Sequence, residues 1–261
     1  ETTTFNTGID FGFVNGRVNG SVDYFIRKTN DLISRVVTST GSNFSNFILT
    51  NVGDMESKGI EFNLNLIPVQ SKDFNWDLNF NATHYNNKIT NLTLSGIDDP
   101  KSPGTPAGST SFTGTSLQYH KVGYPPFTYY VKKQKYDDKG KPIEGAYEDV
   151  NGNGTVEETD FYHHKSPNPT VLLGMSSNLN YKKWSLGFTM RANLGAYNYN
   201  SIAANTGYGD ALSFANFLAN ASSSINKSGF LHNQQVSDYY IEKASFLRMD
   251  NLNLAYSFGK V

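Results

Sequence analysis

Residues Thr3 to Arg27 read TTFNTGIDFGFVNGRVNGSVDYFIR, two runs of strict alternation that meet at Asn15-Gly16. In the first run Phe5, Ile9, Phe11 and Phe13 fall on one side, and Asn6, Gly8, Asp10 and Gly12 on the other. A strand sends successive side chains to opposite faces, so this pattern is a strand with two different solvents. After the dipeptide, Val18, Val22, Tyr24 and Ile26 oppose Arg17, Asn19, Ser21, Asp23 and Arg27. Asn-Gly supplies the two positive-φ residues of a tight type I′ hairpin, which pairs the runs antiparallel. The apolar face must meet either a protein core or lipid.

The same pattern returns further along. Ile60, Phe62, Leu64 and Leu66 alternate with Glu61, Asn63 and Asn65; Phe74, Trp76, Leu78, Phe80 and Ala82 alternate with Asn75, Asp77, Asn79, Asn81 and Thr83. Val171, Leu173, Met175, Leu179 and Tyr181 form another apolar stripe. Trp184, Leu186, Phe188, Met190, Ala192 and Leu194 follow, opposed by Ser185, Thr189, Arg191 and Asn193. Leu252, Leu254, Tyr256 and Phe258 close the series against Asn251, Asn253, Ala255 and Ser257, so the pattern predicts seven two-faced strands. Between them Lys28 to Met55 reads as a long polar loop with Leu32 and Ile33 as its apolar anchor. From Asn86 to Pro169 there is no long alternating run, although Phe127 to Tyr136, the turn Asp137 to Gly140, and Lys141 to Glu148 fit a local hairpin. Tyr197 to Ala244 is a further excursion, in which Asp210 to Ser223 reads as a short helix capped by Asp210.

Composition agrees with an all-β class. Only 38% of the chain is hydrophobic while 14% is aromatic, and Gly, Asn, Ser, Thr and Tyr are plentiful. The formal net charge of -1 gives no reason to expect a nucleic-acid partner. Cysteine is absent, so neither disulfides nor a redox compartment can be inferred. No apolar run reaches the ~18 residues of a helical membrane span. The chain starts inside a strand pattern and stops at Val261, which leads us to expect a fragment.

The connections decide between the two solvents. Short turns follow Phe13, Leu66 and Leu179; long loops follow Ile26, Thr83 and Leu194. In an up-and-down transmembrane barrel that alternation puts every short turn on the periplasmic rim and every long loop outside. The runs have the ~9–11 residues that a tilted strand needs to cross hydrocarbon, and Trp76, Tyr181, Trp184 and Tyr256 sit near their ends as girdle aromatics do. Residues 87–168 then form a long extracellular excursion. The competing reading is a secreted β-rich adhesin or carbohydrate-binding module, a soluble sandwich with one buried face per sheet.

Asn51-Val-Gly-Asp-Met-Glu-Ser-Lys-Gly-Ile-Glu61 resembles the SusC/RagA-type TonB-dependent outer-membrane transporters of Bacteroidota, whose barrels carry a similar Asn-x-Gly and then Lys-Gly-Ile/Val-Glu at the start of a strand. The likeness continues in order through Thr7-Gly-Ile-Asp-Phe11, Asp23-Tyr-Phe25, Lys28-Thr-Asn-Asp-Leu32, Asn86-Asn-Lys-Ile89, Asp149-Val-Asn-Gly-Asn-Gly154, Pro167-Asn-Pro169 with Gly174, and Ala244 to Tyr256. Their colinearity makes the resemblance specific. It implies that residues 1–261 are part of one barrel domain of about 22 strands, in the outer membrane of a Gram-negative bacterium. It also implies an N-terminal plug, a SusD-like surface lipoprotein as lid, and energy from the TonB complex. Plug and final strands are absent from this sequence. The implied function is active import of an oligosaccharide or peptide. An open sheet exposes unpaired edge amides to lipid, so the biological unit must contain more chain.

Candidate site residues follow from these readings. The polar face, with Arg17, Asp23, Arg27, Glu61, Asp77 and Arg191, should line the lumen or meet the plug. Tyr119, Tyr124, Phe127, Tyr129 and Tyr130 are aromatics that can stack on substrate or lid, or pack within their own loop. Asp149, Asn151, Asn153 and Asp160 stand at positions 1, 3, 5 and 12 of an EF-hand-like loop, with Gly154 at position 6 and the Thr155 carbonyl at position 7. With Asn at two positions and Asp rather than Glu at position 12, any Ca²⁺ would bind weakly, at ~10⁻⁴–10⁻³ M; the competing reading is a hydrated Asn-Gly turn. His163-His164 is a poor metal pair, because neighbours in extended chain point apart. No Gly-x-Ser-x-Gly elbow, Walker loop or cysteine nucleophile is present, and no enzyme is expected.

Overall fold

The computed structural model describes residues 1–37, 44–45, 47–93, 102–110, 116–157, 159–212 and 220–259. In chain order the strands are β1 (Thr2–Phe13), β2 (Val18–Val37), β3 (Phe47–Gln70), β4 (Phe74–Asn91), β5 (Thr105–Thr110), β6 (Ser116–His120), β7 (Thr128–Lys132) and β8 (Gln134–Tyr136). They continue with β9 (Pro142–Tyr147), β10 (Phe161–His163), β11 (Val171–Tyr181), β12 (Trp184–Leu194), β13 (Tyr197–Tyr199), β14 (Ile241–Lys243) and β15 (Phe246–Tyr256). Two short helices are α1 (Ser201–Thr206) and α2 (Ile225–Ser228). The chain divides into two compact units, Glu1–Ile97 with Pro169–Ala196 and Ser245–Val261, and Asp98–Asn168 with Tyr197–Ala244.

The first unit is a seven-stranded sheet in the order β1-β2-β3-β4-β11-β12-β15, antiparallel throughout. Its members are the seven two-faced runs of the sequence. Ile9, Val22, Phe62, Ala82, Leu173, Ala192 and Leu247 stand opposite one another in a row across the sheet. One residue along, on the other face, runs Asp10, Ser21, Asn63, Asn81, Gly174, Arg191 and Arg248. The apolar face is not a covered core: Ile9 is 73% and Leu247 70% exposed. The buried hydrophobic clusters found among the described residues belong to the second unit.

At the first turn the Arg17 amide donates to the Val14 carbonyl at 3.1 Å. Asn15 and Gly16 both have positive φ, as type I′ requires, and Val14 shares the left-handed conformation. Gly59 allows close packing of another kind. It pairs with Phe25, whose ring lies across it, so an added Cβ would meet that ring at 2.6 Å and the His84 carbonyl at 2.6 Å.

Strand length corrects one expectation. β11, β12 and β15 have 11 residues each, but β2 has 20, β3 has 24 and β4 has 18. Lys28 to Met55 is therefore mostly a paired ladder rather than a loop: Ile33 to Val37 pairs with Phe47 to Asn51, and register shifts lie between Thr29 and Ile33. Backbone pairing is indifferent to side-chain polarity, and outside hydrocarbon nothing forces the alternation that made the other strands legible.

In the second unit β10-β7-β6-β5 form a four-stranded sheet, and β13-β14 and β8-β9 form two-stranded ones. The β8-β9 pair is the hairpin expected around Asp137 to Gly140. Asp137 Oδ1 accepts from the Lys139 and Lys141 amides at 2.9 and 2.8 Å, and Gly140 has φ +76. The helix expected from Asp210 to Ser223 is a 3₁₀ turn at Gly209–Leu212, and residues 213–219 lie outside the described residues. Both long excursions of the sequence contribute to this unit, stitched by Gln134. Its Nε2 donates to the carbonyls of Lys135, Ile143 and Ala146, its Oε1 accepts from Ser237 Oγ at 2.7 Å, and its amide donates to Asp238 Oδ1 at 2.9 Å.

Gln134 is 2% exposed, so replacing it by an apolar residue takes a buried donor from three carbonyls and a buried acceptor from the Ser237 hydroxyl. Gln134→Leu is expected to destabilise this unit by about 3 kcal/mol. Limited proteolysis of the variant in the full-length protein should cut between residues 134 and 240, whereas the wild type should resist.

Candidate functional site

The polar face is a wall of cross-strand side-chain bridges. Asn65 Nδ2 donates to Asn19 Oδ1 at 3.0 Å, Asn63 Nδ2 to Ser21 Oγ at 3.3 Å, Asn79 Nδ2 to Ser176 Oγ at 3.3 Å, and Ser185 Oγ to Asn180 Oδ1 at 2.6 Å. Asp23, Arg27, Glu61, Asp77 and Arg191 all share this face by register. Arg17 instead lies in the first turn, just outside β2. Asp23 stands directly opposite Glu61, and Arg27 lies 5.9 Å over the Phe25 ring.

At the other end of the sheet Arg191 and Arg248 face each other across β12 and β15. Asp250 bridges them, with Oδ2 3.1 Å from Arg191 Nε and Oδ1 3.2 Å from Arg248 Nε. A bulge makes this possible. Met190 pairs with Met249 and Thr189 with Asn251, which leaves Asp250 as the extra residue. Sequence alternation named Arg191 but missed Arg248 and Asp250, because a bulge hides the parity of the residues around it.

The five loop aromatics are placed differently from one another. Tyr129 is buried; its hydroxyl donates to the Tyr197 carbonyl at 3.3 Å and accepts from the Tyr199 amide at 3.2 Å. Burial pushes its hydroxyl pKa up. Tyr119 packs edge-on to Tyr130, with centroids 5.3 Å apart, and Tyr130 stacks on Phe161 at 5.2 Å. Tyr124 stacks on His163 at 4.5 Å, and Phe127 packs against His120 at 4.7 Å. Tyr124 and Phe127 remain exposed and are the two of the five best placed to meet another molecule. Pairing with Phe161 and His163 could not be read from spacing, since β10 meets β7 across a long separation in the chain.

Behind these rings lies a polar relay. Tyr162 Oη donates to Asp238 Oδ2 at 2.6 Å, and His164 Nδ1 lies 2.9 Å from the same hydroxyl. The hydroxyl has one proton, so His164 Nδ1 is the donor in that second contact. Burial, together with Lys165 and Lys133, holds the His164 pKa below its ordinary value against the pull of Asp238. His163 and His164 take separate partners, His163 Nε2 lying 3.0 Å from the Pro103 carbonyl.

The Asp149 loop is closed by its own amides. Asp149 Oδ1 accepts from Gly152 and Asn153 at 2.7 and 3.2 Å, and Oδ2 from Gly154 at 2.7 Å. Asp160, which is 0% exposed, accepts from Val150, Asn151 and Glu157 at 3.0, 3.2 and 2.8 Å. Those amides, Glu157 first, hold its carboxyl below the usual range. Asn153 Oδ1 takes the Thr155 amide and hydroxyl, both at 2.9 Å, and Asn151 Oδ1 takes the Asn153 amide at 3.0 Å. Gly154 has φ +88 at the turn position. Among the described residues no group of three or more His, Asp and Glu is placed to hold a metal, so a cation here would need Asn and carbonyl oxygens besides Asp149 and Asp160.

A sheet of seven antiparallel strands with one apolar and one polar face fits the wall of a transmembrane barrel, and comparison gives the class: the family model for TonB dependent receptor-like beta-barrels matches residues 1–198. The chain belongs to that family. It is similar to the TonB-dependent receptor SusC of Bacteroides thetaiotaomicron, 42% identical over 266 residues, covering 99% of this chain and 26% of SusC. It is also similar to the TonB-dependent receptor P26 of Formosa agariphila, 28% identical over 98% of this chain and 27% of P26. Among solved structures, a chain of the RagAB peptide transporter superposes with a TM-score of 0.72 at 25% identity, over 98% of this chain and 28% of that one. A chain of the RagAB peptide importer in its "closed-closed" state gives 0.71 at 26% identity, with the same coverage. The chain thus spans about a quarter of the length of these relatives. The resemblance read at Asn51 to Glu61 holds, and the soluble sandwich is set aside.

The lowered His164 pKa fixes a pH dependence. The unfolded state takes up its proton first as pH falls, so stability from this site is complete above about pH 6.5 and declines as pH drops toward the lowered folded value. Proteolysis of the loop unit should therefore accelerate on acidification below pH 6. His164→Asn should flatten that dependence.

Proposed function

We propose that the full-length protein containing this segment is a TonB-dependent importer of oligomeric nutrients, glycan or peptide, in the outer membrane of a Gram-negative bacterium. The observation that carries this reading is the seven-strand register, which gathers the apolar rows on one face and the bridged Asn, Ser, Asp and Arg rows on the other. Similarity to a receptor named SusC and to a chain of a complex named a peptide importer supports it. In this reading the polar face lines the lumen against a plug, the TonB complex supplies energy through that plug, and a SusD-like lipoprotein covers the outer mouth. The second unit then lies outside the cell, where Tyr124 and Phe127 meet cargo or lid.

Uptake of labelled oligosaccharides and peptides by cells carrying the full-length gene tests the proposal. Import of one class should be lost when the TonB complex is inactivated, and a surface lipoprotein should co-purify in detergent. Uptake that persists without TonB would overturn it.

The Asp149 to Asp160 loop adds a separable proposal, a weak Ca²⁺ site at ~10⁻⁴–10⁻³ M. Its support is the 1, 3, 5, 12 spacing with a left-handed Gly154. The ion would have to use lone pairs that the amides leave open on Asp149 and Asp160. Millimolar calcium should slow protease cleavage within residues 149–160 relative to EGTA, and equal cleavage rates would remove the site.

A further inference from the structure

Two rows mark where the short strands begin and end. Phe74, Tyr181, Trp184 and Tyr256 align at the turn end, with Trp184 and Tyr256 centroids 4.7 Å apart. Tyr24, Ile60, His84, Val171 and Leu194 align at the other. The 11 residues of β11 and β12 between these rows match the ~9–11 that a tilted strand needs to cross hydrocarbon.

β2, β3 and β4 continue past the second row, and their outer face changes character there. The next row on that face is Ile26, Lys58 and Asn86, and the one after it Lys28, Glu56 and Lys88. Lys58 Nζ lies 3.0 Å and Lys88 Nζ 3.5 Å from the same Glu56 carboxylate oxygen. Both lysine side chains are about half exposed, at 46% and 48%, while Glu56 is at 12%. Two ammonium groups thus share one carboxylate, and Lys28 stands beside it by register, on the face that carries Ile60 and Phe62 just below. Two to four residues of tilted strand place them roughly 5–10 Å beyond the hydrocarbon edge. The headgroup layer is about 5–8 Å deep on each side. Lysine stems can lie along the apolar rows while the ammonium groups reach upward.

We propose that Lys28, Lys58 and Lys88 form a site for the phosphate groups of outer-leaflet lipid headgroups, with Glu56 bridging two of the ammonium groups. The proposal rests on the membrane-barrel reading. It concerns the outer wall of the barrel, not its lumen. The surplus of positive charge over one carboxylate selects an anion, the outward face at headgroup depth selects a lipid, and the lack of a planar guanidinium fits point-charge attraction to phosphate rather than bidentate carboxylate recognition.

The test uses the full-length protein in a neutral detergent, titrated with lipid A, with dephosphorylated lipid A, and with inorganic phosphate. Binding is read by native mass spectrometry and thermal shift. Wild type should bind lipid A; Lys28→Gln/Lys58→Gln/Lys88→Gln should lose roughly tenfold or more in affinity, and the matching triple Arg variant should keep it. Glu56→Gln should bind lipid A more tightly. Equal lipid A binding by wild type and the triple Gln variant would overturn the proposal, as would equal binding of the dephosphorylated lipid. Protection by inorganic phosphate alone would assign the site to free phosphate and overturn it too. Heat-modifiable electrophoretic mobility reports barrel folding; should the triple variant misfold, Glu56→Gln and Lys88→Gln decide by moving affinity in opposite directions. A wild-type protein soluble without detergent would instead fail the barrel reading itself.

Discussion

Antiparallel register across seven strands is the constraint on which the first unit depends. Side chains alternate with period two, so a slip of β3 by one residue would carry Phe62, Leu64 and Leu66 to the face of Asn63 and Asn65. Several local features hold the register. The Val14 to Arg17 turn fixes β1 on β2, the Asn65–Asn19 bridge fixes β3 on β2, and Phe25 across Gly59 fits at one offset only. Register shifts occur at Thr29 to Ile33, at Asp54 to Met55, at Leu66 to Val69 and at Asp250, and the last creates the charge contact with Arg191 and Arg248.

Legibility of the fold tracks the solvents. Between the two rows, of which the turn-end one is aromatic, each strand has an apolar and a polar face, and a run such as Trp184 to Leu194 is legible residue by residue. Beyond the second row the outer face of β2, β3 and β4 carries Lys28, Lys58, Glu56 and Lys88, strict alternation ends, and Lys28 to Met55 has the composition of a loop although most of its described backbone is paired. The six wall residues were readable to the same extent. Five fall on the polar face, while Arg17 falls in the turn because strand ends depend on hydrogen bonds that sequence pattern does not mark.

The second unit follows a different logic. Its elements are strands of three to six residues and single helical turns, too short to carry a period. Its order comes from side chains far apart in sequence: the Gln134 amide reaches Asp238, Tyr147 Oη reaches Gln234 Oε1 at 2.7 Å, and Glu144 accepts from the Leu231 and His232 amides at 2.9 and 2.8 Å. A buried amide such as Gln134, with four side-chain partners supplied by β8, β9 and Ser237, is tolerated only when all are in place. Composition showed polar residues here but not which would be buried together.

Charge on the polar wall is unevenly placed, and this bears on what the wall is for. On β2 and β3 the carboxylates of Asp23 and Glu61 are direct cross-strand neighbours, an arrangement that disfavours the pair by ~0.2–1 kcal/mol relative to neutral residues. On β12 and β15 two facing guanidinium groups share one carboxylate. A sheet selected only for its own stability would have interleaved these charges, as the Lys58, Glu56 and Lys88 arrangement does on the opposite face. A group seated against such a wall would be favoured if cationic near Asp23 and Glu61 and anionic near Arg191 and Arg248. In the proposed importer a plug, or a cargo passing between plug and wall, would be the group that meets this pattern.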